Sequence, residues 1–253
     1  VIKLGATEAP SFEIVRSKCD EASLKEVAEF AMDAFWLVSP EQKAISPNGR
    51  TELVQAVVDD FVDKYGERLG ARLLNTRLLV ARTTDEESKI LGMVSIEKRL
   101  LDNDRGIILN GEESEMRVRD AVSGLGPKLR RQYKSSSAEV IVAKLVPGFV
   151  ECVCCLSNLA VSNEARRLGL GTKLCDEVER IVGEEWNFEA LFLRVKADNA
   201  PARKLYEGKL GYTERYRQSD AITYLVDPES ESFKESSTEE LILSKKLIKQ
   251  GAI

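Results

Sequence analysis

The sequence predicts a mixed α/β domain. Apolar residues recur at helical spacing in Leu174, Val178, Ile181 and Val182, and alternate at strand spacing in Leu191, Leu193 and Val195. The segments run strands, helix, strand, helix, strands, and no internal repeat of fixed period interrupts that order.

The elements follow in order. Residues 1–10 read as an N-terminal extension and 11–247 as one domain. Phe12, Ile14 and Val15 make a first strand. From Ser23, the spacing of Leu24, Val27, Ala28, Phe30, Ala31, Ala34 and Phe35 is helical, with Asp20 or Ser23 as the cap. Ser39-Pro40 and Ser46-Pro47-Asn48-Gly49 read as breakers, and a second helix follows through Leu53, Ala56, Val57, Asp60, Phe61 and Lys64. Leu78 to Arg82 and Ile90 to Ile96 pair as strands across a turn at Thr84-Asp85-Glu86-Glu87. Residues 102–137 read as a long polar insertion, with a short helix near 115–133 and poor order expected. Its basic run, Lys128, Arg130, Arg131 and Lys134, reads as a solvated face. Strand Val150 to Val161, helix Gly169 to Val182, strand Ala190 to Lys196 and helix Asn199 to Lys209 come next. Gly211-Tyr212 opens a further strand. Ala221 to Val226 and Leu241 to Leu247 are late strands, joined by a Glu- and Ser-rich linker at 228–240 whose residues 228–238 are also expected to be poorly ordered.

Composition excludes whole classes of chemistry. The 253 residues suffice to bury a core without staples. There is no His, which removes Ser-His-Asp and Cys-His catalysis and every His-containing metal site. Lys plus Arg number 37 against 42 Asp plus Glu, a net charge of −5 that argues against a nucleic-acid binder and suits a cationic substrate. No apolar run approaches the roughly eighteen residues of a membrane span, so no membrane partner is expected. The cysteines, Cys19, Cys152, Cys154, Cys155 and Cys175, are odd in number and crowd one strand, which points to a reducing compartment rather than a disulfide framework. They read as small buried residues, and no metal is expected. The chain begins at Val1, not Met, so an upstream targeting peptide would not be visible in it.

Two segments carry chemistry. In Ser157-Asn158-Leu159-Ala160-Val161-Ser162-Asn163-Glu164-Ala165-Arg166-Arg167-Leu168-Gly169-Leu170-Gly171-Thr172-Lys173 a strand, a turn and a Gly-bearing loop lead into a helix. A helix head offers unpartnered N–H groups and about half a positive charge, which together attract an anion such as a pyrophosphate. Gly169 and Gly171 let it approach the backbone, and Arg166, Arg167 and Lys173 add charge. The loop lacks the Gly-Lys-Ser/Thr ending of a P-loop. In the second segment, Asn199 caps a helix with Pro201 in its first turn and Tyr206 lies two turns in.

Together these segments resemble the Gcn5-related N-acetyltransferase (GNAT) superfamily. Arg166, Gly169 and Gly171 match its Q/R-x-x-G-x-G/A loop, and Asn199, Ala202, Tyr206 and Tyr212 match its strand–helix pattern, with one spacing variation before Gly211. The Ser-Asn-Leu-Ala-Val wording followed by Arg-Arg-x-Gly resembles the plastid acetyltransferases of plants and algae. The resemblance implies a mostly antiparallel sheet, splayed at its central strands and flanked by helices, with acetyl-CoA as co-substrate. It implies that Leu159, Ala160 and Val161 line the pantetheine arm, that Arg166, Arg167, Leu168, Gly169, Leu170, Gly171 and Thr172 hold the pyrophosphate, and that Asn199 bonds the arm. Tyr206, with an ordinary pKa of about 10, then donates a proton to the departing sulfur. The implied partner is a protein or peptide amine, either an N-terminal α-amine or a Lys ε-amine. A small polyamine-like amine and a non-catalytic acyl-CoA-binding module are the alternatives. Glu151, at the start of the key strand, is a candidate base but reads more simply as a solvated strand-end charge.

Overall fold

The computed structural model describes residues 11–67 and 73–247, so the extension expected at 1–10 lies outside the described residues. Strand β1 is Phe12–Arg16, β2 Thr76–Thr83, β3 Ile90–Asp102, β4 Ile107–Ile108, β5 Val150–Val161, β6 Ala190–Lys196, β7 Thr213–Asp227 and β8 Ser232–Lys246. The helices are α1 Glu21–Ala31, α2 Pro47–Tyr65, α3 Gly111–Ser123, α4 Pro127–Tyr133, α5 Ala138–Leu145, α6 Leu170–Arg180 and α7 Ala200–Arg203. A wider π turn continues α1 over Met32–Trp36, α6 over Ile181–Glu185 and α7 over Lys204–Lys209. These strands form one sheet in the order β1-β2-β3-β5-β6-β8-β7, with β4 paired to β3 outside that path.

The register contains the feature that matters for function. Among the described residues only β5 and β6 run parallel, and their pairing covers just Cys154–Leu156 against Leu191–Leu193. Beyond that point β5 stays with β3 as far as Val161, while β6 stays with β8 as far as Lys196. Two strands hydrogen-bonded to different neighbours must part, so a V opens at the centre of the sheet.

Each face of the sheet is buried for a different reason. The stripe Leu170, Leu174, Val178 and Ile181 packs on Val94, Ile96, Cys154 and Leu156. On the opposite face, Leu24, Val27 and Ala28 of α1 and Leu53, Val57 and Phe61 of α2 cover Leu78, Val80 and Met93. Asp20 caps α1 by accepting from the Ser23 N–H at 2.8 Å.

Three expectations need correction. The breaker Pro47-Asn48-Gly49 is the first turn of α2, because Ser46 caps it and Pro at the first helical position loses no hydrogen bond. Residues 102–137 are built from β4, α3 and α4 rather than loosely ordered chain. Asn110 and Glu113 close a capping box on α3, and Leu109 and Val118 enter a core shared with Leu100, Ile141 and Val142. The linker at 228–240 is largely strand: Ala221–Asp227 pair with Ser232–Thr238, so β7 and β8 form a long hairpin. Backbone ladders do not require apolar side chains, and Ser232, Glu235, Ser237 and Glu239 there face solvent. The hairpin tip is tied to the head of α2: Ser46 donates to Glu231 through its N–H at 2.5 Å and its hydroxyl at 2.7 Å. Trp36 Nε1 also donates to the Tyr224 carbonyl at 3.2 Å.

Candidate active site

The V is shaped by a bulge in β5. Met93 pairs with Ala160 and Ser95 with Ser157, so two residues of β5, Asn158 and Leu159, face one of β3. Asn158 has φ 54°, a left-handed conformation that Asn tolerates better than most residues. Its amide donates to the Tyr65 hydroxyl at 3.0 Å and to Ser95 Oγ at 3.1 Å, which holds the bulge in place. Leu159 and Val161 follow it, half-buried on the α6 face, while Ala160 is buried among the α1–α2 residues.

After Val161 the chain turns through Asn163–Ala165 into α6. Arg167 and Gly169 both take left-handed φ, 65° and 81°, to reverse the backbone. Gly169 is the N-cap of α6 and offers no side-chain bond, so the N–H groups of Leu170, Gly171 and Thr172 are left without intrahelical partners. The structure separates the roles of the two glycines. Nothing lies within 4 Å of a Cβ added to Gly169, so that position needs glycine for its φ. A Cβ on Gly171 would make ordinary contacts with Leu205 at 3.6 Å and Val161 at 3.7 Å, so nothing within the protein demands glycine there.

The charged residues of the loop do not all gather at the helix head. Arg166 folds back, its Nε donating to the Val161 carbonyl at 3.3 Å on the open edge of β5. Arg167 and Leu168 are exposed. Lys173 lies over the Phe12 ring at 4.7 Å. Asn199 accepts from the Ala202 N–H at 3.2 Å as the cap of α7, leaving its amide N–H groups for another partner.

Tyr206 sits in the π turn after α7, 7% exposed, edge-on to Tyr212 with ring centroids 5.8 Å apart. Burial, with Cys175 and Cys155 nearby, pushes its hydroxyl well above the ordinary tyrosine range, so it is protonated at neutral pH. Cys152, Cys154, Cys155 and Cys175 form no disulfide among the described residues. Burial pushes Cys152 and Cys175 up to about 12 and raises Cys154 and Cys155 as well, so none of these is an activated nucleophile. Glu151 is exposed at the strand end and accepts from Asn103 Nδ2 at 3.1 Å.

Residues that the sequence reading passed over stand behind the bulge. Tyr65 donates to Glu97 Oε1 at 2.8 Å, and Arg99 donates to Glu97 Oε2. The available signal was Ser95, Glu97 and Arg99, polar residues two apart on one face of a mostly apolar strand.

Residues 139–212 match the acetyltransferase (GNAT) family model. The match covers under a third of the chain, the part that holds β5, the α6 loop and Tyr206. The N-alpha-acetyltransferase of Sulfurisphaera tokodaii is 40% identical over 57 residues, 22% of this chain and 34% of that protein. The GCN5-related N-acetyltransferase 7, chloroplastic, of Arabidopsis thaliana is 41% identical over 51 residues, 20% of this chain and 18% of that protein. The matches thus span about a third or less of either relative's length. The crystal structure of Arabidopsis thaliana NAA60 in complex with acetyl-CoA superposes with a TM-score of 0.50 at 16% identity, covering 94% of this chain and 99% of that one. At that identity the likeness is one of fold: this chain has the mostly antiparallel sheet, parted between β5 and β6 and flanked by helices, that the resemblance implies.

Proposed function

We propose that the chain is an acetyl-CoA-dependent N-acetyltransferase that acylates a primary amine of a protein or peptide, an N-terminal α-amine or a Lys ε-amine, by direct attack in a ternary complex. One observation carries this reading: the V between β5 and β6 opens beside a helix head that no side chain caps. When bound, acetyl-CoA supplies the acetyl group as a thioester. The residues present fit that group. The N–H groups of Leu170, Gly171 and Thr172, approached across Gly169 and flanked by Arg167 and Leu168, suit a pyrophosphate. The open edge at Leu159, Ala160 and Val161 suits an extended arm that adds to the sheet as a strand would. Arg166, now on the Val161 carbonyl, must swing out to reach a phosphate. Asn199 offers its free amide to the arm. Tyr206, kept protonated, donates to the sulfur as it leaves. Ternary transfer needs no enzyme nucleophile, so the absent His and the inert thiols are no obstacle. The chloroplastic relative supports a plastid setting.

The test is transfer of labelled acetyl from acetyl-CoA to a mixed peptide library by wild type and Tyr206→Phe, with each acetyl group located by mass spectrometry. Wild type should modify peptide amines, and the variant should lose about 100-fold or more in kcat while still binding acetyl-CoA. Transfer only to polyamines would move the substrate class. Binding without transfer to any amine would leave a non-catalytic acyl-CoA module.

A further inference from the structure

The side-chain amide of Asn158 holds the bulge with one end only. Nδ2 carries two hydrogens and both are used, one on the Tyr65 hydroxyl and one on Ser95 Oγ. Oδ1 is an acceptor, and among the described residues no donor is bonded to it. It is not sealed in the core either. Among the described residues, the buried polar side-chain atoms without a partner are Arg99 Nη1, Ser162 Oγ and Glu240 Oε2, so Asn158 Oδ1 meets solvent.

The residues behind the amide fix which way it faces. Arg99 has only protons to give, so Glu97, paired with it, accepts at one oxygen. The other oxygen accepts from the Tyr65 hydroxyl at 2.8 Å. Tyr65 has a single hydroxyl proton, and burial pushes its pKa up to about 12, so the proton stays and is committed to Glu97. The Tyr65 oxygen must then accept from Asn158. Turned over, the amide would set Oδ1 against that oxygen with no proton between them, and both Nδ2 bonds would be lost. Glu97 is 1% exposed in the middle of β3. Apolar residues of the same volume often stabilise a fold as well as a buried ion pair does. Here the pair gives the chain of hydrogen bonds one direction, from Asn158 to Glu97.

That direction decides what Oδ1 can reach. Around the V the strands lie in the order β3-β5-β6. Nδ2 is drawn towards Ser95 of β3 and Tyr65 of α2. Oδ1, on the other branch of the planar amide, turns from both towards the side that β6 has left. Asn158 lies two residues past Leu156, which with Leu193 makes the last β5–β6 pair. An arm that starts at the head of α6 runs back along Val161, Ala160 and Leu159, so its acyl end lies beside Asn158.

We propose that Asn158 Oδ1 accepts an N–H of the acceptor amine and aims its lone pair at the thioester carbonyl, with Tyr65 and Glu97 as positioning residues that keep the amide turned that way. The assignment rests on the acetyl-transfer reading above. A primary amine suits the site, because one N–H can be held while the lone pair stays free. The amide oxygen takes no proton, so Asn158 orients the nucleophile and leaves the proton transfers of the reaction as they are.

The experiment compares wild type, Asn158→Gly, Tyr65→Phe and the double variant. It measures steady-state transfer to a peptide with a free N-terminal amine, and acetyl-CoA binding by calorimetry. Glycine adopts a φ of 54° without strain, so Asn158→Gly removes the amide and spares the bulge. Its kcat/KM for the peptide should fall about tenfold or more, with acetyl-CoA affinity unchanged. Tyr65→Phe leaves Oδ1 present but free to turn, and should lower the same quantity about threefold, again with acetyl-CoA affinity unchanged. A residue that acts only through Asn158 has nothing to act on once the amide is gone, so the double variant should match Asn158→Gly. A Tyr65 that serves packing alone would instead lower the double variant by its own further factor. That result overturns the assignment and leaves the transferase reading intact, as does peptide transfer by Asn158→Gly within about twofold of wild type. So does a loss of acetyl-CoA affinity in step with the rate, which marks the amide as a support of the coenzyme edge alone. If Asn158→Gly does not fold, Tyr65→Phe decides, and an unchanged kcat/KM for the peptide overturns the assignment. A wild type that transfers acetyl to no amine overturns both.

Discussion

At the scale of single residues, the loop divides one motif between two physical needs. Gly169 is required by its backbone, whereas no contact within the protein requires Gly171. Gly169→Ala forces a Cβ into the left-handed region and should cost about 1–2 kcal/mol of stability in denaturant unfolding. Gly171→Ala meets only ordinary contacts and should unfold as wild type does, yet its methyl group should weaken acetyl-CoA binding in a titration. Equal stability losses in the two variants would contradict this division. The glycines were legible because their spacing is local. Asn158 was quoted in the sequence, but its left-handed φ comes from a register shift against β3, and no local pattern announces that. Glu97 and Tyr65 lie 32 residues apart and meet only because α2 packs across β3.

At the scale of elements, the insertion shows how polar sequence becomes ordered structure. The helix α3 buries only Ser114 and Val118, so its capping box matters more than it would in an apolar helix. Asn110→Ala should cost about 1 kcal/mol. Hydrogen exchange should show the loss as faster opening of residues 111–123, with the α6 face unchanged; uniform loss of protection would mean that the insertion is not a separate layer. The box Asn110-x-x-Glu113 is present in the sequence, but the helix it caps buries too few apolar residues to show a helical stripe. The β7–β8 hairpin was hidden for a different reason. Its outer half pairs through backbone groups and carries Ser and Glu, so alternation of apolar residues gives no sign of it. The π turns after α1, α6 and α7 keep helical periodicity and are likewise invisible to it, although one of them carries Tyr206.

At the scale of the whole molecule, the sheet opens at its centre, where the β5–β6 pairing stops. The α6 side presents an uncapped helix head, and the α2 side presents the buried carboxylate of Glu97. The succession of strands and helices follows from patterns read along the chain. The V does not, because it depends on how far β5 and β6 remain paired, which their similar apolar sequences do not state. The central claim is that the coenzyme lies in this V and on this helix head. Backbone hydrogen exchange, with and without saturating acetyl-CoA, tests it most directly. The account expects new protection at residues 159–161 and 170–172, with little change along β1 and β2. Binding that leaves those amides exchanging at their free rates, or protects another region instead, would contradict it.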